Sequence, residues 1–215
     1  MHDLNSISHS IIMNIYYINL AHRTDRNDHA FKQIQSIGCT GIRVEAVECK
    51  QGAIGCAMSH IRCLELAKEQ KMPFICIVED DIEFTEPDQF QSQLHAFLST
   101  NVAWDVLLLG TNMGPPFDKE EGYLRVFNAQ TTTGYIVKQH YYDTLLNCFK
   151  TSVGRLIHDY NVRLYAIDIQ WKTLQQKDRW YVLYPLTVIQ RDDYSDIEKR
   201  HVQYGTMMTS TKEFK

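Results

Sequence analysis

Three adjacent carboxylates, Glu79, Asp80 and Asp81, are the residues best suited to chemistry in this 215-residue chain. They follow Phe74-Ile75-Cys76-Ile77-Val78, a continuous apolar run of the kind that forms a strand buried on both faces. Three negative charges at the exit of such a strand repel one another, which raises some of their pKa values. A divalent cation relieves that repulsion, and hard oxygen ligands suit Mg²⁺ or Mn²⁺. Such an ion keeps positions open that the oxygens of a diphosphate can fill. A solvated acidic loop is the plain alternative. Position tells against it, because ligands of open α/β sheets gather at the carboxyl ends of the strands.

Other phosphate-binding devices are missing. Neither a G-x-x-x-x-G-K-[ST] loop nor a dinucleotide fingerprint occurs, and Gly52-Ala53-Ile54-Gly55 is neither. Tyr17-Ile18-Asn19-Leu20 carries no Asp-x-Asp of the type an aspartyl-phosphate phosphatase uses. A diphosphate would then have to be held by metal and side chains. The six cysteines form no C-x-x-C pair and several lie in apolar stretches, so reduced, partly buried thiols are expected. Neither a disulfide framework nor a structural zinc site is expected from their spacing.

The composition is that of a folded globular protein, with 44% hydrophobic and 22% charged residues. A net charge of −4 and no long basic run argue against a nucleic-acid partner. Met1 to Ser10 is polar and reads as a flexible N-terminus. Ile11 to Leu20 is apolar but is broken by Asn14 and Asn19, and it is too short to span a bilayer. No signal peptide or membrane span is visible, so cytoplasmic placement is expected.

The elements that must position the acidic run alternate in type. Strands are expected over Ile11–Leu20, Ile42–Val47, Phe74–Val78, Trp104–Leu109, Tyr123–Asn128, Thr133–Val137 and Trp180–Ile189. Helices are expected over Asp25–Ser36 (capped by Thr24 and ended by Gly38), Gly55–Gln70, Pro87–Leu98, Gln139–Phe149 and Asp168–Gln175. Asn112 to Gly122, with two glycines and Pro115-Pro116, reads as a loop. This order implies an α/β fold with one largely parallel sheet covered on both faces. One domain over 11–191 is expected, followed by a polar tail or lid over 192–215.

Several segments together resemble glycosyltransferase family 25, which includes lipooligosaccharide and collagen galactosyltransferases and giant-virus relatives. They are YYINLAHRTDR (Tyr16–Arg26), GAIGCAMSH (Gly52–His60) and ICIVEDDIEF (Ile75–Phe84), with weaker matches at TTTGYIV (Thr131–Val137), Asp168 and Ser195-Asp196. The resemblance implies a GT-A fold, inverting chemistry, a UDP-hexose donor (galactose or glucose) and a Mn²⁺-type metal, with Mg²⁺ the alternative. It places Asn19 and Leu20 near the nucleotide, Arg23 and Arg26 near phosphate, and Ser59, His60 and Thr133 near the donor. Thr132 and Tyr135, with Thr133, are candidates to line the sugar or acceptor site, a β-prone edge strand being the alternative. For Arg26 the solvated face of a helix is an equal alternative. Asp81 is the expected direct metal ligand, with Glu79 and Asp80 as partners or nucleotide contacts. Gln190, or else Asp193 or Asp196, is the expected further ligand.

An inverting transfer needs a base for the acceptor hydroxyl. Asp168 is the candidate, and its alternative role is a helix N-cap. Trp171 and Trp180 offer flat surfaces for a sugar, although a core role comes first for Trp180. The acceptor would be a glycan, a lipid-linked sugar or hydroxylysine of a collagen-like protein. Two rivals differ in class. One is a non-catalytic nucleotide-sugar-binding module; the other is a sugar nucleotidyltransferase, which normally carries a glycine-rich basic loop where this chain has Ala21-His22-Arg23-Thr24-Asp25-Arg26.

Overall fold

The computed structural model describes residues 13–195, 200–203, 205 and 208. The expected flexible segment 1–10 and the candidate ligand Asp196 lie outside the described residues. The first half of the chain runs β1 (Asn14–Asn19), α1 (Thr24–Ser36), β2 (Thr40–Glu45), α2 (Gly52–Glu69), β3 (Phe74–Glu79), β4 (Ile82–Phe84) and α3 (Pro87–Leu98). Then come β5 (Val106–Met113), β6 (Phe117–Glu120), β7 (Tyr123–Val126), β8 (Ala129–Lys138) and α4 (Tyr142–His158). The short helices α5 (Val162–Tyr165), α6 (Ile167–Gln170) and α7 (Lys172–Gln175) lead to β9 (Trp180–Leu183), β10 (Val188–Gln190), β11 (Asp193–Ser195) and β12 (Arg200–Val202).

Eight strands make one sheet in the order β2-β1-β3-β8-β5-β9-β7-β6. β1 is parallel to β2 and β3, and β5 is parallel to β9. β8 lies antiparallel between β3 and β5, and β7 is antiparallel to both β9 and β6. Most strands therefore share a direction, as expected, with β7 and β8 reversed. This is the mixed α/β single sheet flanked by helices that the GT-A reading calls for.

Period-two alternation divides each buried strand between two cores. Along β1, Ile15 and Tyr17 face α1 and α3, where they meet Ala30, Ile34, Phe90 and Leu94. Tyr16 and Ile18 face α2 and α4, where Cys63, Leu64, Leu145 and Phe149 pack. Ile75 to Val78 are all buried because both faces of β3 are covered, whereas Phe74 at its start is exposed. Each such fully buried Leu, Ile, Val or Phe contributes about 1.5–3 kcal/mol. Trp171 and Trp180 are both fully buried, 5.1 Å apart, and their indole N–H groups donate to the Ala129 carbonyl and the Tyr141 hydroxyl. They are core residues and offer no face to a sugar.

Some local expectations need correction. The expected loop over 112–122 contains the end of β5, the strand β6 and the turn that leads into β7. β6 is an edge strand, largely exposed, so main-chain pairing holds it and no apolar alternation marks it. Thr24 does not cap α1; the helix begins on it, Arg23 precedes it, and no side chain caps that end. Asp168 is not a cap either, since α6 starts at Ile167 after Ala166. The expected strand over 180–189 is divided into β9 and β10, with a cis Tyr184–Pro185 bond between them.

Gly110 determines how closely β10 approaches the sheet. A Cβ there would lie 2.5 Å from the Val188 carbonyl oxygen, so only glycine lets β10 pack against β5. Gly110→Ala is expected to push β10, and Gln190 with it, off the sheet at a cost of about 1–3 kcal/mol. A urea titration reads the loss, and an unchanged midpoint would refute it.

Candidate active site

The sequence places carboxylates after β3 because that strand spends its apolar residues on the two cores and ends at Glu79. A pocket of about 320 Å³ opens there, at the carboxyl ends of β1 and β3 and against the first turns of α2. Leu20, Arg26, His60, Gln190 and the whole acidic run are among the residues that line it. The rule that directs attention to the loops after β1 and β3 therefore leads to one place.

The three carboxylates sit in three different environments. Asp80 is fully engaged: Asn19 Nδ2 donates to its Oδ2 at 2.7 Å, and Arg26 Nη1 to its Oδ1 at 2.9 Å. Burial raises its pKa and Arg26 pulls it back only in part. Glu79 accepts the Thr132 hydroxyl at 2.6 Å and His60 Nε2 at 3.2 Å, both on Oε1. Burial pushes Glu79 up, but hydrogen bonds led by that from His60 outweigh it and hold the carboxyl below its ordinary value.

Asp81 accepts the Gln190 amide at 2.9 Å and lies 3.4 Å from Arg26, both on Oδ2. Its Oδ1 is buried and has no hydrogen-bond partner. Burial first and the Glu79 charge second push its pKa up to about 7. A buried carboxylate oxygen without a partner in a pocket wall is chemically suited to a hard cation, so the residues here would fit the ion expected from sequence. Gln190 is brought into contact with Asp81, and Asp193 is 3.3 Å from Arg26 Nε.

The remaining candidates fall into distinct positions. Asn19 is buried; it also donates to the Arg23 carbonyl and accepts from Arg43 Nε at 3.0 Å, which ties the end of β1 to β2. Arg26 is embedded among Asp80, Asp81, Asp193 and the Tyr194 carbonyl, so neither a bare phosphate ligand nor a solvated helix face describes it. Arg23 clasps Asp25 at 2.8 Å and reaches Asp193 at 3.4 Å. Ser59 bridges the Gly55 carbonyl and the Val47 N–H, which locks the 47–49 loop to α2. Thr133 is fully buried, with its hydroxyl unpartnered, and is not among the residues lining the pocket.

Asp168 is close to Glu79, whose charge adds to the burial that raises its pKa. Its Oδ2 accepts the Thr131 N–H at 3.1 Å. Thr131 holds φ +79°, a strained value for a β-branched residue, so the backbone is bent to make that contact. Adjacent residues of β8 thus hold the two carboxylates, Thr132 on Glu79 and Thr131 on Asp168. Sequence reasoning offered Thr132 and Tyr135 only as lining of a sugar or acceptor site, and it missed Arg43 altogether. Only the register of β8 against β3 reveals that the first two are partners of Glu79 and His60.

Residues 48–127 match the family model of glycosyltransferase family 25 (LPS biosynthesis protein). Over that stretch the chain is similar to family 25 glycosyltransferases. The match covers α2, β3 and the acidic run, and thus most of the pocket wall. No curated protein matches the sequence. Among solved structures, a glycosyltransferase involved in the glycosylation of the major capsid of PBCV-1 is 10% identical, with 81% of this chain and 93% of that chain covered and a TM-score of 0.45. A mannose-1-phosphate geranyltransferase from Thermus thermophilus is 9% identical, with 80% and 73% covered and a TM-score of 0.46. A Drosophila beta-1,4-galactosyltransferase 7 with manganese, UDP-Gal and xylobiose is 9% identical, with 63% and 52% covered and a TM-score of 0.36. Likenesses this distant assign the chain neither donor nor acceptor. Among its described residues no helix is long and apolar enough to cross a membrane.

Proposed function

We propose that this chain is a glycosyltransferase of the family 25 type that moves a hexose, galactose or glucose, from a UDP-sugar to a hydroxyl acceptor with inversion at the anomeric carbon. The observation that carries the reading is the bare Oδ1 of Asp81 in the wall of the pocket. Asp81 would hold Mn²⁺ or Mg²⁺, with Gln190 and Glu79 beside it. When bound there, the cation supplies Lewis-acid neutralisation of charge on the departing diphosphate. Asn19 and Leu20 would contact the nucleotide, and the first turns of α2 turn the positive end of a helix dipole toward its phosphates. Asp168 would take the proton of the acceptor hydroxyl; a carboxyl whose pKa is raised is a stronger base once ionised.

Residues 192–215 would serve as the lid of the 11–191 domain. Asp193 and Tyr194 already touch Arg26, so movement of this segment is coupled to the acidic run. The acceptor would be a glycan, a lipid-linked sugar or a collagen-like hydroxylysine, met in the cytoplasm.

Incubation with Mn²⁺ and a panel of UDP-sugars should show slow UDP release from one hexose donor. Absence of donor binding by calorimetry, with and without metal, would sink the proposal. Asp168→Asn should lower transfer about 10²–10⁴-fold with little change in donor affinity. A parallel loss of binding would remove Asp168 from the role of base. One observation favours a nucleotide-sugar-binding module instead: Arg26 already neutralises Asp80 and Asp81. Donor binding without turnover, candidate acceptors included, would establish that reading.

A further inference from the structure

The Cys56, His60 and Glu79 side chains meet at the inner end of the same pocket. One ligand atom from each lies within 4.8 Å of the other two. Cys56 and His60 are four residues apart on α2 and project from one face of it. The spacing of cysteines along the chain gave no reason to expect a zinc site, because the third ligand comes from β3. We propose that these three residues form a site for a thiophilic divalent cation, Zn²⁺ by preference, separate from the hard-cation position on Asp81.

Distances support this. A tetrahedral Zn²⁺ with usual bond lengths sets its nitrogen and oxygen ligands about 3.3 Å apart and its sulfur and oxygen ligands about 3.6 Å apart. Here His60 Nε2 is 3.2 Å and Cys56 Sγ 3.6 Å from Glu79 Oε1. Donor counting points the same way. Thr132, His60 and Cys56 all direct protons at this one oxygen, which has two lone pairs to offer. A cation would replace two of the three.

The outer partner is present too. His60 Nδ1 lies 3.0 Å from the Tyr135 hydroxyl, the kind of contact that fixes the tautomer and ring of a metal-bound histidine. Binding sends the Cys56 thiol proton to solvent and shifts the His60 proton from Nε2 to Nδ1, from which it is donated to Tyr135. Thiolate and carboxylate then balance the double charge, which suits so buried a place. The fourth position faces the pocket, as in three-ligand zinc sites that keep one position open.

Co²⁺ added to chelator-treated protein tests this without reference to sugar transfer. The intact protein should bind one Co²⁺ with a near-ultraviolet thiolate-to-metal band, displaced by Zn²⁺ and not by Mg²⁺. Cys56→Ser, which keeps the size and the hydrogen bond, should lose the band, whereas Cys49→Ala and Asp81→Asn should keep it. Tyr135→Phe should bind about ten- to a hundredfold more weakly. A missing band in the intact protein, or one that survives Cys56→Ser, would overturn the proposal. Failure of glycosyl transfer would leave it standing, because no readout depends on a donor.

Discussion

Asp81→Asn is expected to give a folded and more stable protein that no longer turns over its donor. The side chain is buried and ionises against the Glu79 charge, so a neutral amide of the same shape removes a repulsion. UDP release should fall at least about 10²-fold, the scale seen when one preorganised electrostatic group is removed. Stability supplies the independent readout. The folded pKa of about 7 lies above the ordinary carboxylate range, so the folded state binds more protons than the unfolded one between about pH 4 and pH 7. Wild-type stability should therefore fall as pH rises through that window and level off above it. In Asp81→Asn this part of the slope disappears. Urea titrations at pH 5 and pH 8 decide the matter. An equal difference between wild type and variant at both pH values would refute it.

Arg26→Ala should be the most damaging single change at the site. Arg26 is the counter-charge of Asp80 and Asp81 and also reaches Asp193, and all four side chains are largely shielded from water. Removing one partner of a buried ion pair costs about 3–5 kcal/mol, because the other charge stays buried. Mn²⁺ should restore part of that loss, since it supplies the missing positive charge to the same oxygens. Urea midpoints with and without Mn²⁺ make the comparison. If the metal stabilises the variant no more than the wild type, guanidinium and cation do not share these carboxylates.

Sequence showed the buried half of this protein more clearly than the exposed half. Ile75 to Val78 announced a central strand because both of its faces are covered there, and Gly38, at φ +68°, closes α1 as a glycine after a helix does. Pro87 opens α3 where it was expected. β6 escaped notice because an exposed edge strand needs no apolar pattern. At the site, charge density and position marked Glu79, Asp80 and Asp81, and the spacing of Arg23 and Arg26 marked the arginines. Nothing in one dimension showed that Arg26 would meet Asp80 and Asp81 while Arg23 clasps Asp25. Nor did it show that Ser59 locks a loop, or that Thr132 and Tyr135 reach Glu79 and His60. Those facts depend on the register of β8, in which Val78 pairs with Gly134 and Ile77 with Tyr135.

Because β8 is seated between β3 and β5, the site cannot assemble from neighbouring pieces of chain. Glu79 waits for Thr132, fifty-three residues on, and Asp81 for Gln190, more than a hundred residues on. Contacts so far apart close large loops before they return any stabilisation, which makes folding slow. Refolding followed by donor binding should lag refolding followed by helix signal. A growing chain would hold α1, α2 and β3 in place well before it could bind a sugar nucleotide.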